Sequence, residues 1–120
     1  MPMTDEQAHL KIHHSQGVHL VELISRKILE ESSISQIGDQ LSQLVEANPQ
    51  IKLLLNFAQV EHLSSAALGM LITLRSKVEG TNGQLKLSDI RPQIYEVFKI
   101  TQLYKLFDIH DSAAEALRRF

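Results

Sequence analysis

The amino-acid sequence predicts a single α/β domain: a mixed sheet of four to five strands with about four helices packed mainly on one face. Residues 9–14 alternate apolar and polar side chains, and Ser15-Gln16-Gly17 turns the chain into a second apolar run, which predicts an antiparallel hairpin. Beyond the hairpin, helix-like and strand-like segments alternate, which predicts parallel strands joined by right-handed crossovers. The 120 residues, 43% of them hydrophobic, suit one domain. We expect a flexible N-terminus over residues 1–7 and the domain over residues 8–120.

The hairpin is followed by a first helix. The second strand runs from Val18 to Ile24, and a charged loop follows from Ser25 to Glu31. Ser33 and Gln36 then have the spacing of a capping box. Apolar residues recur behind them at intervals of three and four, which predicts an amphipathic helix. Asn48-Pro49 ends this helix, because the residue before proline avoids helical geometry.

The second half of the chain begins with a central strand. Ile51 to Phe57 is almost continuously apolar, which is typical of a strand buried on both faces. A regular amphipathic helix then starts near Ser65 and ends at Gly80. The remaining predicted elements are a strand around Leu85, Leu87 and Ile90, a helix opened by Pro92, a weaker strand from Leu106 to Ile109, and a helix from Ala113 to Phe120 capped by Ser112.

Composition excludes several classes of function. The net charge of −2 lacks the basic excess of a nucleic-acid-binding domain, and the absence of cysteine excludes thiolate chemistry and disulfides. The apolar stretches are much shorter than the roughly 20 residues of a membrane span. We expect no secretory signal in the first eight residues, which contain two acidic residues and no apolar run. We therefore expect a cytoplasmic protein with no membrane span and no nucleic-acid partner.

No motif for catalysis or for a cofactor is present. The sequence has no G-x-S-x-G elbow, no H-E-x-x-H pair and no glycine-rich phosphate loop. His9, His13 and His19 raise the alternative of a zinc site across the hairpin, but solvated strand histidines explain them more simply. We expect no catalytic residues, no metal site and no cofactor.

One segment, Val60 to Gly69, connects the central strand to the most regular helix. A helix N-terminus has unpaired backbone N–H groups and favours an anion. Loops that follow the carboxyl ends of parallel strands often carry function in such sheets. A serine at this position can also simply cap the helix, so both explanations stay open.

The same segment resembles the STAS family, which is named for sulfate transporters and anti-sigma factor antagonists. Family members have an apolar strand, a short loop and then Asp-Ser-Ser/Thr-Gly-Leu-Gly at the start of a helix. The run Val60-Glu61-His62-Leu63-Ser64-Ser65-Ala66-Ala67-Leu68-Gly69 matches this pattern without a gap. The segments Gly83–Leu87, Val97–Leu103 and Phe107–Ile109 also resemble the family, so the likeness extends from about His9 onward.

The resemblance implies an anti-sigma factor antagonist, a non-enzymatic protein-binding domain that is switched by phosphorylation. Such a domain sequesters an anti-sigma factor serine kinase and so frees a sigma factor, and a phosphatase restores the unphosphorylated form. Ser65 matches the phosphoacceptor because Leu68-Gly69 fixes the alignment, and Ser64 is the alternative if the alignment shifts by one. The implied partner-binding residues are Glu61, His62, Ser64, Ser65, Ala66 and Leu68.

The sequence departs from the family pattern at three positions. Ser64 replaces the usual Asp, Ala66 replaces the second Ser or Thr, and Ala67 replaces the Gly. A domain that binds its partner without being phosphorylated is therefore one alternative. Two further alternatives are a scaffold subunit of a stress-signalling complex, which would form homo-oligomers, and a stand-alone regulatory module of a transporter.

Overall fold

The computed structural model describes residues 4–6 and 9–120, with side chains from residue 9 onward. The chain alternates strands and helices after an N-terminal meander. The strands are β1 Thr4–Glu6, β2 Leu10–Ser15, β3 Val18–Leu23, β4 Lys27–Ile28, β5 Lys52–Asn56, β6 His62–Leu63, β7 Gln84–Ser88 and β8 Asp108–His110. The helices are α1 Glu31–Ala47, α2 Ser65–Gly80, α3 Pro92–Ile100 and α4 Ala113–Arg118, with a short 3₁₀ turn at Leu103–Lys105.

The main sheet is mixed, with the strand order β1-β2-β3-β5-β7-β8. The pairs β1–β2 and β2–β3 are antiparallel, whereas β3, β5, β7 and β8 pair in parallel. The predicted mixed sheet with an N-terminal hairpin is therefore confirmed. A separate parallel pair of short strands, β4 and β6, was not predicted.

A short strand lies within residues 1–7, the segment that we expect to be a flexible terminus. Thr4–Glu6 forms β1 and pairs with residues 11–13 of β2. Residues 1–3 and 7 lie outside the described residues. Alternation did not indicate this strand, because three residues are too few to establish a period of two.

The turn of the β2–β3 hairpin has the geometry that its sequence requires. Gln16 and Gly17 both have positive φ, at 54° and 79°. Two consecutive residues with positive φ match the twist of a two-residue hairpin, and glycine adopts this conformation without strain. The turn fixes the register, in which Leu10 lies opposite Leu23 and His14 opposite His19.

The two faces of the sheet are covered unequally. Helices α1, α2 and α3 pack on one face, where apolar side chains of all three join the largest core cluster. Helix α4 covers part of the other face, and Ala116 packs with Val18 and Leu54 there. Leu53, Leu54 and Leu55 of β5 are all fully buried, as expected for a central strand between two layers.

Helix α1 begins earlier than predicted. The helix starts at Glu31, and its N-cap is Glu30, whose side chain makes no capping hydrogen bond. Ser33 therefore lies inside the first turn, and the predicted capping box at Ser33 is wrong. The apolar residues Ile34, Ile37 and Leu41 are buried as the periodicity predicted. The extra turn at the N-terminus follows from the position of β4, because only two residues separate Ile28 from the start of α1.

Candidate functional site

The site begins at the carboxyl end of β5, where the chain makes a compact turn. Asn56 accepts a hydrogen bond from the Ala58 backbone N–H through Oδ1 at 2.8 Å. The Val60 N–H donates to the Phe57 carbonyl at 2.9 Å. Phe57 and Val60 are both fully buried, so they anchor the turn in the core. The segment from Glu61 onward therefore leaves the sheet at a fixed point and direction.

Next, this segment is tied to the loop that precedes α1. β4 and β6 pair in parallel, with Lys27 opposite His62 and Ile28 opposite Leu63. The backbone N–H groups of Glu61 and His62 both donate to the Arg26 carbonyl, at 2.7 and 3.1 Å. These bonds hold two otherwise irregular loops together at the edge where α2 begins.

An ion pair reinforces the same junction. Arg26 Nε donates to Glu61 Oε2 at 3.0 Å, and Arg26 Nη2 lies 3.0 Å from the same oxygen. The Arg26 side chain is 73% exposed and that of Glu61 is 25% exposed, so water screens the pair. Glu61 is thereby held partly turned away from solvent, whereas His62 is exposed.

Ser64 is the N-cap of α2. Its Oγ accepts a hydrogen bond from the Ala67 N–H at 3.1 Å, and its backbone is extended at φ −84° and ψ 166°. Its own N–H donates to the Ile28 carbonyl at 3.1 Å. Serine and aspartate both cap helices well, so the replacement of the family's Asp by Ser64 keeps this structural role.

Ser65 occupies the first helical position and is exposed. Its hydroxyl makes no hydrogen bond with any of the residues that the structure describes. The first N–H groups of a helix have no intrahelical acceptor, so those of Ser65 and Ala66 point outward beside this hydroxyl. The arrangement combines an accessible alcohol with donors and a helix dipole that favour an anion.

The residues after Ser65 divide between surface and core. Ala66 is exposed, but Ala67 is fully buried and Leu68 is only 6% exposed. Leu68 therefore differs from the other predicted partner-binding residues, because its side chain is buried and packs α2 against the core. Ala67 replaces the family's Gly without strain, because it lies in ordinary helix.

One exposed apolar side chain at this junction was missed by sequence analysis. Leu29 follows β4 directly and is 48% exposed. Because Ile28 lies opposite Leu63, the next residue on each strand brings Leu29 level with Ser64. Leu29 stands in a charged segment without periodicity, so only the tertiary pairing of β4 with β6 reveals its position.

The histidines do not converge. His9 lies 2.7 Å from Ser25 Oγ and 2.9 Å from Gln36 Oε1, and His13 faces Glu22 at 4.0 Å. The ring of His19 instead packs against His14, with centroids 4.0 Å apart. Within residues 9–120 and the β1 backbone, no group of three or more potential ligands could hold a metal ion.

A model of the STAS domain family matches residues 10–116. The chain belongs to the STAS domain family. The anti-sigma F factor antagonist of Paenibacillus polymyxa is 18% identical to this STAS domain over 108 residues, which cover 90% of this chain and 91% of that protein.

Solved structures share the fold. An anti-sigma-factor antagonist (STAS) domain protein from Planctomyces limnophilus superposes with a TM-score of 0.82 at 19% identity and covers 95% of this chain and 98% of its own. The Bacillus cell fate determinant SpoIIAA in its phosphorylated form gives a TM-score of 0.69 at 16% identity over 92% of this chain and 97% of its own. Among the described residues, none of the helices combines the length and hydrophobicity that a transmembrane segment requires.

Proposed function

We propose that this STAS domain is an anti-sigma factor antagonist that binds an anti-sigma factor kinase and is released from it by phosphorylation of Ser65. The match to the STAS family over most of the chain supports this proposal, as do relatives that are themselves named anti-sigma factor antagonists. The domain itself would catalyse nothing, and the ATP would be bound by the kinase in the cytoplasm.

The observation that carries the proposal is the division of roles between two adjacent serines. Ser64 caps α2 through its Oγ, so the helix does not need the Ser65 hydroxyl. Ser65 is exposed at the first helical position, where a kinase can reach it. A helix cap is the simplest structural explanation for a serine here, and it accounts for Ser64 but not for Ser65.

The surface around Ser65 has the composition of a protein interface. Leu29 supplies an exposed apolar side chain directly after β4, and His62 and Ala66 are exposed before and after the two serines. The Arg26–Glu61 ion pair lies at the start of the β4–β6 pair. Interfaces commonly place an apolar contact at the centre and polar groups at the rim. We propose that these residues contact the kinase and that Leu68 acts only indirectly, by fixing the position of α2.

The proposed switch is electrostatic. Ser65 Oγ attacks the γ-phosphorus of ATP, its proton passes to a base on the kinase, and ADP leaves. The product carries between about −1.5 and −2 charges at neutral pH. The free N–H groups at the start of α2 stabilise this anion within the domain. At a closed interface the same anion is costly unless a cation of the kinase pairs with it, and a loss of about 1.4 kcal/mol weakens binding tenfold. A phosphatase would hydrolyse the phosphoserine and restore binding.

Intact-mass measurement after incubation with the purified kinase and ATP tests the proposal. We expect one added phosphoryl group on the wild-type protein and none on Ser65→Ala. The matched control is Ser64→Asp, which removes the neighbouring hydroxyl but keeps a good N-cap, and it should still be phosphorylated. Phosphorylation of Ser65→Ala at the wild-type rate would exclude Ser65 as the acceptor.

Binding measurements test the switch separately. Ser65→Ala should bind the kinase about as tightly as wild type, whereas Ser65→Glu should bind at least about tenfold more weakly. Equal affinities would contradict a charge switch at this position. If the kinase binds the wild-type protein but adds no phosphoryl group, the domain is a constitutive antagonist. Self-association at micromolar concentration without any kinase would instead favour the scaffold alternative.

A further inference from the structure

A groove with a volume of about 330 Å³ runs between the outer faces of α1 and α2. Its walls are short side chains and bare backbone, and its floor is formed by apolar side chains such as Met70 and Leu74. The wall residues are Ser35, Gly38, Asp39 and Ser42 of α1 and Ala66, Gly69 and Thr73 of α2.

The groove has one closed end and one end beside Ser65. The two helices run in parallel, because Gly38 in the middle of α1 lies against Met70 of α2, and Glu46 pairs with Lys77 at 3.0 Å nearer the C-terminal ends of both helices. This ion pair bridges the groove beyond Thr73. At the opposite end the groove reaches Ala66, the neighbour of Ser65. It is therefore continuous with the surface proposed to contact the kinase.

Gly69 has no explanation within the domain. Glycine destabilises the interior of a helix relative to alanine. Gly38 is explained by packing, because a Cβ there would come within 3.1 Å of Met70 Cγ. At Gly69 an added Cβ would meet nothing within 4 Å, and its φ is not in the left-handed region. Because Gly69 has no side chain, the outer surface of α2 is open at this position, and a group from another molecule can approach the backbone there.

The electrostatics of the groove define the chemistry of that group. No Lys or Arg occurs from Ile28 to Ile51 or from Leu53 to Leu74. The charged residue in the groove wall is Asp39, which is exposed and has no ion-pair partner among the described residues. A cation on the occupant would therefore meet a free carboxylate and no like charge from either wall.

We propose that this groove receives a segment of the anti-sigma factor kinase that inserts a large apolar side chain against Gly69 and places a neighbouring Lys or Arg at Asp39. This inference rests on the proposed function and adds a second contact area to it. The apolar side chain would bury the exposed floor of the groove, which is the dominant favourable contribution in most protein interfaces. The cation would orient the segment and speed association.

A larger side chain at Gly69 would fill the groove, and this provides a direct test. Gly69→Leu adds a side chain where the structure has open space, so the fold should be retained and the helix stabilised. Gly80→Leu is the matched control, because a Cβ there also meets nothing within 4 Å and the residue lies at the far end of α2. Circular dichroism and thermal melting establish that both variants are folded.

Titration calorimetry with the purified kinase then measures the affinity of each variant. We expect Gly69→Leu to bind at least about tenfold more weakly than wild type and Gly80→Leu to bind within about twofold of it. Wild-type affinity for Gly69→Leu would overturn the groove proposal while leaving the Ser65 switch intact. Failure of the wild-type protein to bind the kinase would overturn both.

The charge of the occupant has its own experiment. Asp39→Asn should weaken kinase binding and reduce its dependence on salt concentration, whereas Asp111→Asn, an exposed aspartate outside the groove, should do neither. An unchanged salt dependence for Asp39→Asn would exclude a cation at this position.

Discussion

Replacing Ser64 with alanine removes the hydrogen bond that caps α2. The Ser64 Oγ accepts from the Ala67 N–H at 3.1 Å, and loss of such a cap costs about 1 kcal/mol. For 120 residues at about 2.1 cal/mol/K each, the entropy of unfolding is roughly 0.25 kcal/mol/K. We therefore expect the melting temperature of Ser64→Ala to fall by roughly 4 °C.

The neighbouring variant provides the contrast. The Ser65 hydroxyl is exposed and makes no hydrogen bond among the described residues, so Ser65→Ala should change the free energy of unfolding by less than about 0.5 kcal/mol. Ser64→Asp should retain wild-type stability, because aspartate caps a helix and its charge favours the N-terminus. The three variants thus separate the loss of a cap from the loss of a hydroxyl.

Thermal melts and urea titrations followed by far-UV circular dichroism measure these differences. Both transitions should be two-state for a single domain of this size, so the free energies can be compared directly. A fall in stability for Ser65→Ala as large as that for Ser64→Ala would refute the assignment of Ser64 as the cap. The Ser65 hydroxyl would then be the group that caps the helix, and it would not be free to accept a phosphoryl group from a kinase.

Three other predictions concern the rest of the domain. Burial, and secondly the nearby His14, lower the pKa of His19 below its usual 6.5. The unfolded chain therefore binds a proton at His19 more readily than the folded domain, and the free energy of unfolding should fall as the pH drops below 6.5. In His19→Gln, the free energy of unfolding measured by urea titration should depend less on pH over that range. Asp108→Ala leaves Lys86, which is 7% exposed, without its carboxylate and should cost about 1–3 kcal/mol. Lys86→Met should cost less, because water can solvate the 51% exposed Asp108; equal losses in the two variants would contradict this argument. Gly83→Ala would bring a Cβ within 2.7 Å of a main-chain carbonyl oxygen, and urea titration should show a loss of about 1–3 kcal/mol.

Periodicity predicted the elements that bury a continuous face. Helices α1 and α2 each bury one apolar face, which gives apolar residues at intervals of three and four. Strand β5 is buried on both faces, which gives an uninterrupted apolar run. Both patterns can be recognised in the sequence. The N-terminus of α1 was predicted wrongly because the Ser33 capping box is a local signal. The position of β4 starts the helix at Glu31 instead.

The candidate site was only partly predictable for the same reason. The alignment of the motif indicated Ser65, but spacing alone could not decide which of two adjacent serines caps the helix. The structure decides it, because Ser64 Oγ accepts from the Ala67 N–H. The surroundings of the site are tertiary: the Ser64 N–H bonds to the Ile28 carbonyl, and β4 pairs with β6. Strands of two residues leave no period to detect, so their pairing could not be inferred from the sequence.

The effect of each departure from the family pattern depends on what that position does in the fold. Ala67 is buried in regular helix and Ser64 keeps the cap, so neither change damages the junction. Ala66 is exposed and takes no part in the cap, so its missing hydroxyl affects only what a partner can recognise. The three changes therefore leave the geometry of the proposed acceptor intact and concentrate any difference from other family members in partner choice.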